Sequence, residues 1–281
     1  MSSFDPIAAA LAEDLGPGDV TSEFFVSPGL QALGRIVARE RAVVAGTETA
    51  AEVFRRVDPK LHVVVSQSDG AALMGGETIL EIRGSARSIL TAERVALNFL
   101  QRLSGVATLT REFVDAAGNS KAKILDTRKT TPGLRALEKA AVVAGGGANH
   151  RIGLYDMVLV KDNHLMANSA VPAVAAAVER VRRERPDVRV EVEADRLEQV
   201  RAFLGVPGID VILLDNMKPT EMREAVALGK GKKVQFEASG GVNLKNIRQI
   251  AATGVDFVSV GALTHSARAI DLSLELTHVA G

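Results

Sequence analysis

The sequence predicts an α/β protein in which a small mixed sheet precedes a parallel α/β barrel. Three observations predict it. From residue 105 onward, strand-like runs at 122–126, 157–161, 188–194, 209–215, 233–238 and 255–260 alternate with helical stretches at 105–117, 134–144, 170–185, 196–204, 219–228 and 243–252. Such regular alternation calls for a parallel sheet, and six closely spaced units favour a closed barrel over an open one. The strands are rich in Val and Ile, as in Val211-Ile212-Leu213-Leu214, which is how strands buried on both faces read. The third observation is where the polar residues fall. In an α/β barrel, functional groups gather at the C-terminal ends of the strands. Here those ends carry Asp126 to Lys129, Lys161 to His164, Glu193, Asp215-Asn216, Ser239-Gly240-Gly241 and Gly261.

The first hundred residues have a different rhythm. Residues 5–15 read as an amphipathic helix with Asp5 as N-cap and Pro6 at the first helical position. Residues 13–21 read as an acidic turn. Strands are expected at 34–41, 61–66 and 78–83, with a helix at 47–57. Leu61, Val63 and Val65 alternate with His62, Val64 and Ser66, so one face of this sheet is covered. In a helix at 88–103, Ile89, Ala92, Ala96, Phe99, Leu100 and Leu103 form one apolar stripe. Arg94, Asn98 and Gln101 share another face, which periodicity alone reads as solvated. Ser104-Gly105 marks the expected boundary between an N-terminal domain, 1–104, and a catalytic domain, 105–265. In the tail, 266–281, Ile270, Leu272, Leu274 and Leu276 are read as an apolar helix that packs back on the first domain.

Composition narrows the function. With 281 residues, 47% hydrophobic and 24% charged, the chain suits one or two folded domains. Lys+Arg and Asp+Glu both total 34, so no global field draws in nucleic acid or an acidic membrane, and any anion site must be built locally. The absence of cysteine excludes disulfides, thiolate metal sites and cysteine nucleophiles. No run of eighteen apolar residues is present to span a bilayer. The opening MSSFDPIAAALAEDLG lacks a basic segment followed by an apolar core, and a cytoplasmic protein is expected.

The chemistry concentrates between Lys121 and His164. Arg128, Lys129, His150, Arg151 and Lys161 all fall on loops or strand ends, where catalysis usually resides, and the pattern asks for an anionic ligand. Gly145-Gly146-Gly147 ends the intervening helix; it does not match the G-x-G-x-x-G dinucleotide fingerprint. Ser239-Gly240-Gly241, followed by a helix from Asn243, has the form of a phosphate cradle, with Val260-Gly261 on the next unit as its neighbour. Glu193 and Asp215 form a carboxylate pair suited to Mg2+ or sugar hydroxyls, or alternatively to structural ion pairs. Lys161 at a strand end also fits a Schiff-base lysine. No histidine pair has zinc-like helical spacing.

Several runs carry a family resemblance: Asp126-Thr127-Arg128-Lys129-Thr130-x-Pro132-Gly133, Gly145-Gly146-Gly147-x-Asn149-His150-Arg151, Leu159-x-Lys161-Asp162-Asn163-His164, Leu214-Asp215-Asn216 and Glu237-Ala238-Ser239-Gly240-Gly241. Glu13-Asp14-Leu15-Gly16-x-Gly18-Asp19-x-Thr21, Glu93-Arg94-x-x-Leu97-Asn98 and Gly261-x-Leu263-Thr264-His265 extend it. Over nearly the whole length the chain resembles the quinolinate phosphoribosyltransferases. The resemblance implies an N-terminal α/β sandwich domain and an incomplete, seven-stranded α/β barrel. It implies a homodimer in which Arg94 reaches the neighbour's site. It implies the substrates quinolinate and phosphoribosyl pyrophosphate, Mg2+, and the products nicotinate mononucleotide, pyrophosphate and CO2. Carried over by position, Arg94 of the partner, Arg128, His150, Arg151 and Lys161 hold the dicarboxylate, with Thr127 beside them. Lys129 faces pyrophosphate, and Glu193 and Asp215 take the ribose hydroxyls and Mg2+. Ser239, Gly240, Gly241, Val260, Gly261, Ala262 and His265 take phosphate.

Overall fold

The computed structural model describes residues 4–165 and 171–279. The elements run α1 (Pro6–Leu15), α2 (Val20–Phe25), β1 (Gln31–Ala38), β2 (Ala42–Val43), α3 (Thr47–Val57), β3 (His62–Val65), β4 (Ala72–Leu73), β5 (Thr78–Ser85) and α4 (Ala86–Ala117). They continue with β6 (Lys123–Leu125), α5 (Arg135–Ala144), β7 (Met157–Val160), a 3-10 turn at Asp162–Leu165, α6 (Val171–Glu184), β8 (Arg189–Ala194), α7 (Leu197–Phe203) and β9 (Val211–Asp215). The last are α8 (Pro219–Leu228), β10 (Gln235–Ser239), α9 (Ile247–Ala251), β11 (Phe257–Ser259), α10 (Ala262–His265) and β12 (Leu272–His278). The helix expected at 170–185 begins at Val171; residue 170 lies outside the described residues. Among the described residues, no helix is long and apolar enough to cross a membrane.

The chain divides into two compact units. The first comprises Met1–Arg111, Thr130–Gly146 and Leu263–Gly281; the second comprises Glu112–Lys129 and Gly147–Ala262. In the first unit, an antiparallel sheet of order β12-β1-β5-β3 packs Ile36, Ile79, Leu80 and Ile82 against Phe54 of α3 and Ile89, Leu97 and Leu100 of α4. Asp5 caps α1 by accepting from the amides of Ile7 and Ala8, with Pro6 next in line.

Four expectations for this unit are corrected. Residues 13–21 are not only a turn: Asp19 accepts from the Ser22 amide at 2.9 Å and starts α2. Ser104-Gly105 does not end a helix, since α4 runs unbroken for 32 residues. Both small residues instead let other segments approach it. Ser104 Oγ accepts from the Ala45 amide at 3.1 Å, and a Cβ on Gly105 would sit 1.9 Å from the Arg268 carbonyl oxygen. The tail forms a strand, β12, and not a helix. Its leucines at 272, 274 and 276 are spaced by two, the period of a strand, and β12 pairs with β1 from Ala38↔Leu272 to Ala32↔His278. Gln101 holds the tail in place: its carbonyl accepts from the Ile270 amide and its side chain donates to the Leu272 carbonyl. So it does not share the exposed face of Arg94 and Asn98. Arg268 donates to both carboxylate oxygens of Glu40 at 2.7 and 2.6 Å, and these bonds hold the Glu40 carboxyl down at about 2.

The second unit is built on a parallel sheet of order β6-β11-β10-β9-β8-β7. That is the order of a barrel cut open between its first two strands. The expected seventh strand is reduced to a single parallel bridge, Leu125 to Ala148, beyond β6. Among the described residues the barrel does not close.

Gly105→Ala should destabilise the protein by about 1–3 kcal/mol, the range for forcing extra atoms into a packed contact. The expected readout is a lower denaturant midpoint. An unchanged midpoint would show that the tail does not depend on this close approach to α4.

Candidate active site

Register decides which side chains share the mouth of the parallel sheet. The pairs Leu159↔Glu191, Glu193↔Leu213, Asp215↔Ser239 and Leu213↔Glu237 fix it. Carried along each strand by the two-residue period, this puts Lys161, Glu193, Asp215 and Ser239 on one face. Glu191 and Glu237 lie on that same face, one step nearer the strand starts. All the candidate residues except Arg94 and His265 belong to this unit.

At the mouth, Lys161 Nζ donates to Glu193 Oε2 at 2.6 Å. Thr127 Oγ1 accepts from the Lys129 amide at 3.0 Å and so shapes the loop after β6. Arg151 is partly buried and donates to the Met157 carbonyl at 3.1 Å. Burial, and then the positive charge of Arg128, push the Arg151 guanidinium below its ordinary value; Glu191 and Asp156 oppose them. Arginine remains protonated regardless, so the protein holds two like charges against each other at this place.

The ends of β9 and β10 are tied together. Asn216 adopts a left-handed backbone at φ 54°; its amide donates to the Ser239 carbonyl at 2.9 Å, and its side chain donates to Asp215 Oδ2 at 2.9 Å. Gly240 lies against that side chain, at φ 90°, with its missing Cβ 2.2 Å from Asn216 Oδ1, so only glycine fits. The helix expected from Asn243 is corrected: α9 starts at Ile247 and is five residues long. Asn243 and Asn246 instead donate side-chain N–H groups to the Gly241 carbonyl. What the Ser239–Gly241 turn can offer an anion is therefore its own amides and hydroxyl, without help from a helix dipole. Val260 is buried and its amide donates to the Leu125 carbonyl, with half-buried Gly261 and Ala262 following.

Beneath the mouth, the candidate residue His150 meets two buried acids, Glu191 and Glu237, that were not among the expected site residues. His150 Nε2 is 3.0 Å from Glu191 Oε2 and 3.5 Å from Glu237 Oε2, and the two carboxylates are 1% and 2% exposed. The His150 amide donates to Oδ1 of the fully buried Asp126 at 2.9 Å. Burial, and then the charge of Glu191, push the Glu237 carboxyl up to about 8. The ligand atoms of His150, Glu191 and Glu237 lie within 4.8 Å of one another. A proton on Glu237 removes one of two buried negative charges, while Glu191 Oε1 and Glu237 Oε1 still lack a hydrogen-bond partner. The available signal was an acidic residue at alternating positions of a Val-rich strand, Glu191 before Glu193 and Glu237 before Ser239.

The first unit carries the other two candidates. Arg94 sits on α4 with 60% of its side chain exposed, 4.0 Å from Glu93. His265 is exposed, with Nδ1 2.7 Å from Ser266 Oγ.

With this geometry in hand, comparison with known proteins is informative. The family model for the quinolinate phosphoribosyl transferase N-terminal domain matches residues 19–104, and that for the C-terminal domain matches residues 106–275. A nicotinate-nucleotide pyrophosphorylase [carboxylating] of Mycobacterium leprae is 45% identical over 277 residues, covering 97% of this chain and 96% of the relative. A probable nicotinate-nucleotide pyrophosphorylase [carboxylating] of Bacillus subtilis is 41% identical over 94% of this chain and 90% of its own length. Among solved structures, NadC from Streptococcus pyogenes superposes with a TM-score of 0.91 at 38% identity, covering 100% of both chains. The nicotinate-nucleotide pyrophosphorylase from Francisella tularensis gives 0.89 at 39% identity, over 96% of this chain and 94% of that one.

The raised carboxyl of Glu237 has a consequence for stability. Because the folded state keeps a proton that the unfolded chain releases near 4.5, stability falls as pH rises from there towards about 8. Glu237→Gln removes this dependence. Unfolding midpoints of the variant and the parent should converge at acidic pH and separate in favour of the variant above about 8. A constant offset at every pH would contradict the raised value.

Proposed function

Because the chain belongs to the quinolinate phosphoribosyl transferase family, we propose that the cationic strand ends of its second unit are where it performs the family's reaction. The chain is a decarboxylating phosphoribosyltransferase of NAD biosynthesis. It transfers phosphoribosyl from phosphoribosyl pyrophosphate to the ring nitrogen of quinolinate, giving nicotinate mononucleotide, pyrophosphate and CO2. One observation carries the site assignment. Arg151 is held partly buried against the like charge of Arg128 in a chain of zero net charge. A dianion relieves that repulsion.

Arg128, Arg151 and Lys161 supply the charge for the two carboxylates, and the planar guanidinium fork suits a carboxylate bidentately. Arg94 of a second copy completes the clamp, which makes the working form a homodimer. Thr127 shapes the loop that aims Lys129 at the pyrophosphate. Ser239, Gly240, Gly241, Val260, Gly261 and Ala262 receive the 5′-phosphate and its surroundings. Lys161 paired with Glu193 at 2.6 Å favours an anion-binding ammonium over the neutral amine that a Schiff base requires.

Glu193 and Asp215 present hard oxygen donors on neighbouring strands, a donor set that fits Mg2+; they would hold it directly or through water and ribose hydroxyls. When bound, Mg2+ supplies charge neutralisation for the departing pyrophosphate. The chain's own residues do the rest. Lys129 stabilises the pyrophosphate as the bond from C1′ to its oxygen breaks and that oxygen keeps the electron pair. The arginines hold quinolinate so that its ring nitrogen faces C1′ and forms the new bond. When the bond to the 2-carboxylate breaks and CO2 departs, its electron pair stays on ring carbon 2, stabilised by the adjacent positive ring nitrogen, and that carbon takes a proton from water. Fixed charge in place before the reaction is the main contribution expected of such a site.

Arg128→Ala or Arg151→Ala should each cost about 2–5 kcal/mol, roughly thirtyfold to several thousandfold in kcat/KM for quinolinate. The assay follows nicotinate mononucleotide and CO2 from quinolinate, phosphoribosyl pyrophosphate and Mg2+, with nicotinate as the control substrate. A variant within tenfold of the parent would overturn its assignment. Mixing inactive Arg94→Ala and Arg151→Ala subunits should restore about a quarter of the parent activity, because half the dimers then carry one intact site. No recovery after subunit exchange would confine Arg94 to its own chain.

A further inference from the structure

We infer that His150 serves this reaction from behind the substrate, as the residue that aims Arg151, and that the buried carboxylates Glu191 and Glu237 are positioning residues that hold its ring. The inference rests on the site assignment above and changes one part of it. The family resemblance implies that His150 touches the dicarboxylate; the hydrogen bonds point elsewhere.

Both ring nitrogens are engaged within the protein. Nδ1 accepts from the Arg151 amide at 2.8 Å, so it holds a lone pair and no proton. A ring with an unprotonated Nδ1 carries its one N–H on Nε2, and Nε2 faces Glu191 Oε2 at 3.0 Å with Glu237 Oε2 at 3.5 Å. That single N–H is directed into the protein and is not available to a substrate carboxylate. The residue is fixed from a third side where its amide donates to Asp126. His150 therefore links three buried acids, after β6, on β8 and on β10, to the backbone of Arg151. The same link fixes where the Arg151 side chain starts, and the Met157 carbonyl fixes where its guanidinium lies.

The burial of these acids needs a reason that packing does not supply. Glu191 Oε1 and Glu237 Oε1 are buried atoms with no hydrogen-bond partner, which costs stability. Their immediate strand neighbours Val190, Val192, Phe236 and Ala238 are apolar and buried. An acceptor beneath a substrate-aiming histidine explains a carboxylate where Leu or Val would stabilise the sheet.

The test uses the full chain. Glu191→Leu removes the acceptor; Glu191→Gln keeps one, in its amide oxygen. For Glu191→Leu the quinolinate KM should rise about tenfold or more, the scale for a small misplacement of a binding group, with the phosphoribosyl pyrophosphate KM within about twofold. Glu191→Gln should stay close to the parent. In an Arg151→Ala background, Glu191→Leu should add little further loss, since residues acting through one another are not additive. Equal losses in both backgrounds, or equal rises in both substrate KM values, would overturn the inference. A second readout needs no turnover. Nitrogen-15 spectra of the histidine rings, with the His150 signals assigned by their loss in His150→Asn, should show the Nε2–H tautomer, unchanged on adding quinolinate. A protonated Nδ1 that responds to quinolinate would restore the direct-contact role. Should the parent fail to turn over quinolinate, the site assignment falls, while the tautomer still decides what holds His150.

Discussion

Cations gathered at one edge of a sheet repel each other, and every feature of the second unit bears on how that repulsion is managed. Lys161 is matched directly by Glu193 at 2.6 Å. Arg151 is not matched in this way: its burial and the charge of Arg128 both work against it. The charges of Glu191 and Asp156 oppose these two effects; Glu191 and Glu237 face His150, and the Glu237 carboxyl is pushed up to about 8. The protein thus keeps two like charges close together where a dianion can bind. It keeps enough negative charge beneath to make the unliganded state tolerable, because unlike charges in a low-dielectric interior interact strongly.

The sheet makes this layering possible. A parallel strand carries side chains to one face at every second residue, so Glu191 with Glu193, and Glu237 with Ser239, place a lower and an upper group on one strand. Across the sheet the register sets Glu237 level with Leu213 and Glu193, with Glu191 two residues lower. A lower group is buried and can only position; an upper group is partly exposed and can bind. Asn216 and Gly240 then lock the upper ends of two strands to each other, at a contact so close that only glycine fits.

The sequence made much of this legible, and the residues it misled on share a cause. The strands were readable because Val and Ile crowd them, and the cationic loops because arginine and lysine at strand ends have few structural reasons to be there. Only as a break in the helix did Ser104-Gly105 mislead, because a small pair is equally the mark of a break and of a close approach; the Arg268 carbonyl that makes it a close approach lies more than 160 residues away in the chain. The tail leucines obeyed the period of two, but an apolar run with no partner in view also fits a helix, and β1 is the partner. The dipeptide of glycines at 240 and 241 did not lead into a helix, since Asn243 and Asn246 turn the chain first. Glu191 and Glu237 were visible as letters. That both are buried against one histidine is a fact of two strands and a loop at once, and no local pattern holds it.

Why histidine sits at position 150 follows from the demands of that link. The position must accept one backbone N–H and donate one proton to a buried carboxylate, across a rigid body and without adding charge. Lysine and arginine offer donors only and would bring a third cation beside Arg128 and Arg151. Asparagine and glutamine have both functions, but their acceptor and donor sit on one amide carbon and do not point along the diverging directions of the two ring nitrogens. Neutral imidazole meets all of these conditions. Its position between a carboxylate layer and an arginine backbone also explains why a titratable residue can be central to a site and take no proton from anything that binds there.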